Sequence, residues 1–308
     1  NGFVTKINLT GYNLVGTLPS ELVYLTSLET IFMNTNSISG TVPVDIFNSL
    51  PALVEIRLND NAFTGTLSDL RNLSTVEKMW IGGSSLTGTI PVSVSGMTAI
   101  QDLRLFGNDL TGTIPNVIAS LPALGSLYLH ENSLTGSLDD AFASSALNKL
   151  NVENNSLTGT IPSSLVLANF GYFAMNDFTG TFPAALCSGG ASYTVDCDLV
   201  CTCCTSCAEA PSFSPTQSPS NRPSNIPSNI PSFLPTSLPS VSPSVLQSEQ
   251  TALAALYAAT DGPNWSPTPA GWDATGAVCD GPATGTITCT NGFVTKINLT
   301  GYNLVGTL

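Results

Sequence analysis

Residues 100–115 read IQDLRLFGNDLTGTIP, and this arrangement recurs through the first 186 residues of the 308-residue chain. Apolar residues lie eight, five and three positions before an asparagine, as Ile100, Leu103 and Leu105 lie before Asn108. The shared asparagine is Asn36, Asn61, Asn108, Asn132, Asn155 or Asn176, and Tyr12 and Ser84 take its place in two further copies. Repetition every 21 to 25 residues predicts stacked units that bury one continuous core, because a single unit cannot bury its apolar face alone.

The consensus of these copies, LxxLxLxxNxLTGxIPxxLxxL, resembles the plant-specific class of leucine-rich repeat from Val4 to about Leu186. The resemblance implies an α/β repeat fold: a right-handed leucine-rich repeat solenoid with a concave parallel β-sheet and short helical turns on the convex side. It also implies a ladder of asparagine side chains that bond the backbone of neighbouring repeats. We therefore expect residues 1–186 to form about eight repeats. The last is degenerate, because Ala168 and Gly171 replace the expected leucines.

Four further segments follow the predicted solenoid. Residues 291–308 repeat residues 1–18 letter for letter, which indicates one period of a tandem array. Residues 248–259 predict an amphipathic helix, and with the tryptophans and cysteine pair behind it they resemble the N-terminal cap of the same family. The predicted segments are a cysteine-rich C-terminal cap (187–210), a tetrapeptide-repeat linker (211–246), the N-terminal cap of the next copy (247–290) and the start of its solenoid (291–308).

The eight cysteines lie in two local groups, which favours disulfides in an oxidising, extracellular setting. We expect a secreted protein at a cell surface or in a matrix. A thiolate metal site built on Cys204 and Cys207 is the alternative, but no histidine lies near them in the sequence, so no metal site is predicted. The cysteines predicted to form disulfides, with the pairing left open, are Cys187, Cys197, Cys201, Cys203, Cys204, Cys207, Cys279 and Cys289.

The linker has a proline every four residues from Pro211 to Pro243, each followed by Ser or Thr. This density favours an extended, polyproline-II-like path. Two interpretations are open: an O-glycosylated stalk, or a segment whose apolar residues dock on a neighbouring chain or domain. Predicted O-glycosylation sites are Ser212, Thr216, Ser220, Ser224, Ser228, Ser232, Thr236, Ser240 and Ser244, and predicted N-glycosylation sites are Asn8, Asn72, Asn154, Asn264 and Asn298.

Composition excludes several classes of function. The formal net charge of −13 argues against nucleic-acid binding, which requires basic faces, and against anionic membrane surfaces. No apolar run approaches the ~20 residues that span a bilayer. The sequence has one histidine and neither a nucleophile elbow nor a phosphate-binding glycine loop, so we expect no enzyme and no cofactor.

A binding face is predicted on the concave sheet, where the residues two, four and six positions before each ladder residue face solvent. Aromatic and arginine side chains alternate through the middle row, and these types are enriched where surfaces bind. The alternative is that any solvent-facing strand position tolerates such residues. The candidate ligand is a polysaccharide, an extended peptide or the linker of an adjacent copy. The candidate residues are Phe32, Arg57, Trp80, Arg104, Phe106, Tyr128, His130 and Tyr172.

Three functions follow from these features. The tandem repetition favours a structural glycoprotein whose copies assemble head-to-tail or laterally into a fibre, cell-surface matrix or adhesive. The alternative is a ligand-binding module, either a receptor ectodomain or an inhibitor that recognises a peptide or polysaccharide. The third is ice binding, because threonines such as Thr89 and Thr113 follow the repeat glycines and predict regular ranks at strand spacing, ~4.8 Å apart.

Overall fold

The computed structural model describes residues 4–12, 14–138, 142, 147–163, 165, 167, 169–184, 186, 192–199, 201, 204, 206–208, 251–256, 258, 272–273, 276–277, 287–290 and 293–298. The linker 211–246 with its predicted O-glycosylation sites lies outside these residues. So do Asn264, Cys187, Cys203 and Cys279.

Among the described residues, the first sheet contains twelve strands, all parallel except for one antiparallel edge pair. In chain order its strands are Lys6–Asn8 (β1), Thr30–Phe32 (β3), Glu55–Arg57 (β5), Lys78–Trp80 (β7), Asp102–Arg104 (β9), Ser126–Tyr128 (β11), Lys149–Asn151 (β13), Phe170–Tyr172 (β15), Ser192–Asp196 (β17), Ser206–Ala208 (β18), Ile287–Thr290 (β21) and Phe293–Asn298 (β22). Successive repeats supply neighbouring strands, so the sheet runs along the solenoid. We call its outward side the concave face.

A second parallel sheet lies after the ladder position of each repeat. Its eight strands, again within the described residues, are Val15–Gly16 (β2), Ser37–Thr41 (β4), Ala62–Thr66 (β6), Ser85–Thr89 (β8), Asp109–Thr113 (β10), Ser133–Ser137 (β12), Ser156–Gly159 (β14) and Asp177–Phe178 (β16). A separate antiparallel pair joins Trp272–Asp273 (β19) to Gly276–Ala277 (β20). The resemblance implied only helical turns beyond the ladder, so the second sheet is an addition to the expected architecture.

Short helical turns follow the second sheet in several repeats. They are 3₁₀ turns at Ser20–Tyr24, Val92–Gly96 and Asn116–Ser120 and one α-helical turn at Val44–Phe47. A proline directly precedes each of them, with φ between −63° and −82°. Because proline fixes φ and lacks an N–H, it ends the strand and starts the turn without sacrificing a backbone donor.

The apolar positions of the repeat form one continuous core. Ile100, Leu103 and Leu105, which define the predicted spacing, are at most 1% exposed. The core extends to Leu253 and Leu256, in a helical stretch at 251–256 that falls within the predicted helix 248–259. No helix among the described residues has the length and apolar character needed to cross a membrane.

The asparagine ladder joins each repeat to its neighbour. The Asn108 amide donates to the carbonyls of Ile81 and Leu105, at 2.9 and 3.1 Å, and its Oδ1 accepts from the N–H of Leu86 at 3.1 Å. The residue before each ladder position has φ between 54° and 76°; these residues are Gly11, Thr35, Asp60, Gly83, Gly107, Glu131, Asn154 and Met175. This conformation directs their N–H groups to the next repeat, as Gly107 donates to His130 O at 2.9 Å.

The two ends of the solenoid are closed differently. At the C-terminal end, Asp196 accepts from the backbone N–H groups of Met175 (2.6 Å) and Asn176 (3.2 Å), which elsewhere bond the next repeat. Beyond it, Cys201 and Cys204 form a disulfide, and Cys197 is also disulfide-bonded. At the other end, β22 pairs with β1, strand against strand of identical sequence.

Candidate ligand-binding face

The predicted middle row is straight. Neighbouring strands of the first sheet pair without offset, so Phe32 lies opposite Arg57, Arg57 opposite Trp80, and Trp80 opposite Arg104. Beyond them Tyr128 follows Arg104, and Tyr172 follows two strands later across Asn151. Every candidate side chain of this row is half-buried on the concave face.

The row is a stack of planar groups. The guanidinium carbon of Arg57 lies 4.5 Å from the Phe32 ring centroid and 4.1 Å from that of Trp80. The guanidinium carbon of Arg104 lies 3.8 Å from the Trp80 centroid and 4.7 Å from that of Tyr128. Lys6 extends the stack, with its Nζ 4.6 Å from the Phe32 centroid. Such contacts are worth ~0.5–2 kcal/mol each, depending on desolvation.

Each arginine is oriented by a carboxylate two residues earlier on its own strand. Arg57 donates through Nε and Nη2 to Glu55, and Arg104 donates through Nε and Nη2 to Asp102 at 2.9 and 2.7 Å. The carboxylates are more buried than the arginines, at 14–15% against 29–30% side-chain exposure. These bonds orient both guanidinium groups so that each lies between the aromatic rings of the two neighbouring strands. Neither carboxylate was predicted as a site residue, although an acidic residue two positions before each arginine is visible in the sequence.

The rings and guanidinium groups of this stack present their edges to solvent, whereas the ring faces are covered. Because β5 and β9 flank β7 on opposite sides, the two arginines cover opposite faces of the Trp80 indole. Lys6 and Arg57 enclose the Phe32 ring in the same way. The indole Nε1 of Trp80 is a buried donor with no hydrogen-bond partner among the described residues.

A second aromatic group lies toward the C-terminal repeats. His130 stacks on Phe106 with centroids 4.7 Å apart, and Phe170 stacks on Tyr172 at the same distance. Tyr128 contacts both pairs edge-on, at 6.3 Å from His130 and 5.9 Å from Phe170. Phe170 was not predicted as a site residue, although it occupies a solvent-facing position of the row six before Asn176.

His130 contributes a neutral, stacked imidazole ring to this aromatic group. Burial lowers its pKa below the ordinary histidine value, and the neighbouring Glu131 offsets only part of that effect. Its ring is therefore neutral at neutral pH, which suits parallel stacking on Phe106.

The concave face carries more positive than negative charge, although the whole chain is acidic. Its cations are Lys6, Arg57, Lys78, Arg104 and Lys149, and its carboxylates are Glu55, Asp102, Glu153 and Asp196. Lys78 lies 3.8 Å from Glu55, so that carboxylate is shared by two cations. The face therefore favours a neutral or acidic ligand.

The threonines of the second sheet have packing roles. The Cγ2 of Thr89 lies 2.8 Å from the position a Cβ would take on Gly112, so its methyl group fills the space over that glycine. The hydroxyl of Thr111 donates to Gly88 O at 3.2 Å. Pairing is offset by two residues, which places Thr111 opposite Thr89. The threonines that follow the glycines are therefore not directly opposite one another, although the same offset recurs between successive strands.

Three predicted N-glycosylation sites fall on described side chains. Asn72 and Asn154 are exposed, whereas Asn8 lies on β1 and its Oδ1 accepts from the Thr10 N–H at 3.3 Å. Asn298 ends β22. Their occupancy stays a prediction.

Similar proteins share the repeat and the architecture. A family model described as Leucine Rich Repeat matches residues 146–166. Receptor-like protein 39 of Arabidopsis thaliana is 29% identical over 179 residues, 54% of this chain and 17% of that protein. The solved structure of the plant peptide hormone receptor RGFR1 in complex with RGF2 is 28% identical, with a TM-score of 0.54 over 61% of this chain and 34% of that chain.

The fold is a leucine-rich repeat solenoid. A plant ice-binding protein shares this solenoid at 22% identity, with a TM-score of 0.55 over 63% of this chain and 65% of that chain, a likeness of fold alone. The solenoid described here spans about a sixth of the length of the curated receptor-like protein that it matches.

Proposed function

We propose that the chain is an extracellular, non-catalytic recognition module that binds an extended peptide across its concave face. The observation that carries the proposal is the unbroken stack from Lys6 to Tyr128, held by paired carboxylates. A rigid row of aromatic and arginine groups provides the anchors typical of protein interfaces at little entropic cost on binding. The peptide hormone receptor RGFR1, solved in complex with RGF2, supports the same ligand class.

The stack favours a peptide over a polysaccharide. Sugar rings bind aromatic residues through open ring faces, but both faces of Phe32 and of Trp80 are already covered by cationic side chains. What the row offers instead is ring edges and guanidinium N–H groups. Backbone carbonyl oxygens of an extended peptide suit these donors.

The comparisons favour recognition over the fibre hypothesis, which rests on the tandem copies alone. Assembly of copies into a fibre stays a prediction that follows from residues 1–18 and 291–308. The second-sheet threonines disfavour ice binding, because they contribute methyl groups to packing and hydroxyls to backbone carbonyls.

The test is a selection experiment on the full chain. A displayed random-peptide library and soluble β-glucan oligosaccharides are each presented to the wild-type protein and to Trp80→Ala. We expect peptides to be enriched on wild type and not on Trp80→Ala, with no oligosaccharide binding. Equal enrichment on the two proteins, or binding of oligosaccharides alone, would overturn the proposal.

A further inference from the structure

We infer that the peptide recognised by the concave face is a polyproline-II segment with proline at every third residue, running along the stacked row. This inference rests on the proposed peptide-binding function and specifies the ligand's conformation and sequence period. It follows from the spacing of the aromatic rings, the arrangement of free donors and the charge of the face.

The aromatic residues recur on every second strand of the sheet. Phe32, Trp80, Tyr128 and Tyr172 lie on β3, β7, β11 and β15, which are separated by one strand each. Strands lie ~4.8 Å apart, so the row repeats roughly every 9.6 Å at the backbone. One guanidinium bridges each of the first two gaps, which limits those ring-centroid separations to about 8.6 Å at most.

This spacing matches one turn of polyproline II. Three residues at ~3.1 Å each advance ~9.3 Å and return the side chain to the same face. A ligand in β-strand conformation presents side chains to one side every ~6.6–6.8 Å. This repeat is shorter than the ring spacing, so its second side chain already misses the second ring. A polyproline-II segment therefore places every third residue against successive ring edges, and aromatic-lined surfaces are known receptors for this conformation.

The free donors have the same period. In both Arg57 and Arg104 the Nε and Nη2 atoms donate to the paired carboxylate, which leaves Nη1 for a ligand acceptor. The two arginines lie on β5 and β9, so their free N–H groups recur every second strand, as the rings do. Polyproline II has no internal hydrogen bonds, so its carbonyl oxygens are available to these donors.

The chain's own linker does not fit this spacing. Its prolines recur every four residues, which in polyproline II advances ~12.4 Å and rotates each proline by one third of a turn from the last. Successive linker prolines would then face different directions and miss the ring spacing. The excess of cations over carboxylates on the face further favours a ligand without basic residues.

Calorimetric titration of the full chain with three synthetic peptides tests the inference. The peptides have equal length and no charge: one with proline at every third residue, one with the same composition and proline at every fourth, and one extended and proline-free. The variants are Trp80→Ala and Arg104→Lys. Arg104→Lys keeps the positive charge but removes the planar guanidinium group. Val92→Ala is the matched control, because Val92 is 71% exposed on a convex turn.

We expect the every-third peptide to bind at least about tenfold more tightly than the other two, a difference of ~1.4 kcal/mol. That advantage should be lost in Trp80→Ala and Arg104→Lys and kept in Val92→Ala. Equal affinity for all three peptides would overturn the inference while leaving peptide recognition intact. Failure of every peptide, together with a failed library selection, would overturn the proposed function as well.

Discussion

The guanidinium carbon of Arg104 lies 3.8 Å from the centroid of the Trp80 ring, the shortest arginine–ring distance in the described stack. Because Asp102 holds the guanidinium against the indole, this contact should stabilise the folded chain as well as the binding face. A double-mutant cycle with Trp80→Ala and Arg104→Ala should give a coupling of about 1 kcal/mol in urea unfolding. Trp80→Ala with Lys149→Ala is the control pair and should be additive. An equal coupling in both cycles would contradict a direct contact.

The asparagine ladder predicts opposite effects at two equivalent positions. Asn108 is 7% exposed, so Asn108→Ala leaves the Leu86 N–H without its acceptor and should lower the unfolding free energy by about 2–4 kcal/mol. Ser84 reaches only Asn61 O, at 3.3 Å, so Ser84→Asn should raise it by about 1 kcal/mol. Both are measured by urea unfolding. A destabilised Ser84→Asn would show that this repeat cannot accept the ladder amide.

Asp196 should control fraying of the last repeat. Asp196→Ala leaves the N–H groups of Met175 and Asn176 without their carboxylate acceptor, and a loss of about 2–3 kcal/mol is expected. Hydrogen exchange of these two amides should accelerate before that of Asn108, deep in the solenoid. Asp196→Asn keeps one carbonyl oxygen and should lose less. Unchanged exchange in Asp196→Ala would exclude the capping role.

The periodic features of the fold were predictable, because each repeat obeys the same local rules. The spacing around Asn108 located the core, the ladder and the solvent-facing row of the first sheet. The closure by Asp196 was not predictable, since it occurs once and depends on where β17 meets the last repeat. The offset of the second sheet was also missed. In this offset arrangement Thr89 packs against Gly112, a contact that the threonine spacing alone does not reveal.

At the candidate site, the alternation of Arg57, Trp80 and Arg104 could be predicted from the register of the repeats. The occupation of both indole faces was not, because it depends on side-chain orientation set by Glu55 and Asp102. That detail changes the expected ligand, since covered faces disfavour sugar stacking.

Glu153 should make stability depend on pH. Burial, then the nearby Asp196 and Glu131, raise the pKa of Glu153 above its ordinary value. The folded state therefore holds this proton to higher pH than the unfolded state, and stability falls as pH rises through that interval. Glu153→Gln should raise the free energy of unfolding at pH 7 by under about 1 kcal/mol, because solvent screens this partly exposed group. The melting temperature should rise accordingly. The gain should vanish below about pH 4. A gain independent of pH would contradict an ionisation effect.

The most direct test of the binding face is the affinity of one library-selected peptide for three proteins: wild type, Trp80→Ala and Val92→Ala. Trp80→Ala should weaken binding at least about tenfold, as expected for loss of an aromatic anchor at the centre of an interface. Val92→Ala should bind like wild type. Equal affinities of wild type and Trp80→Ala, with both proteins folded, would contradict recognition by the stacked row.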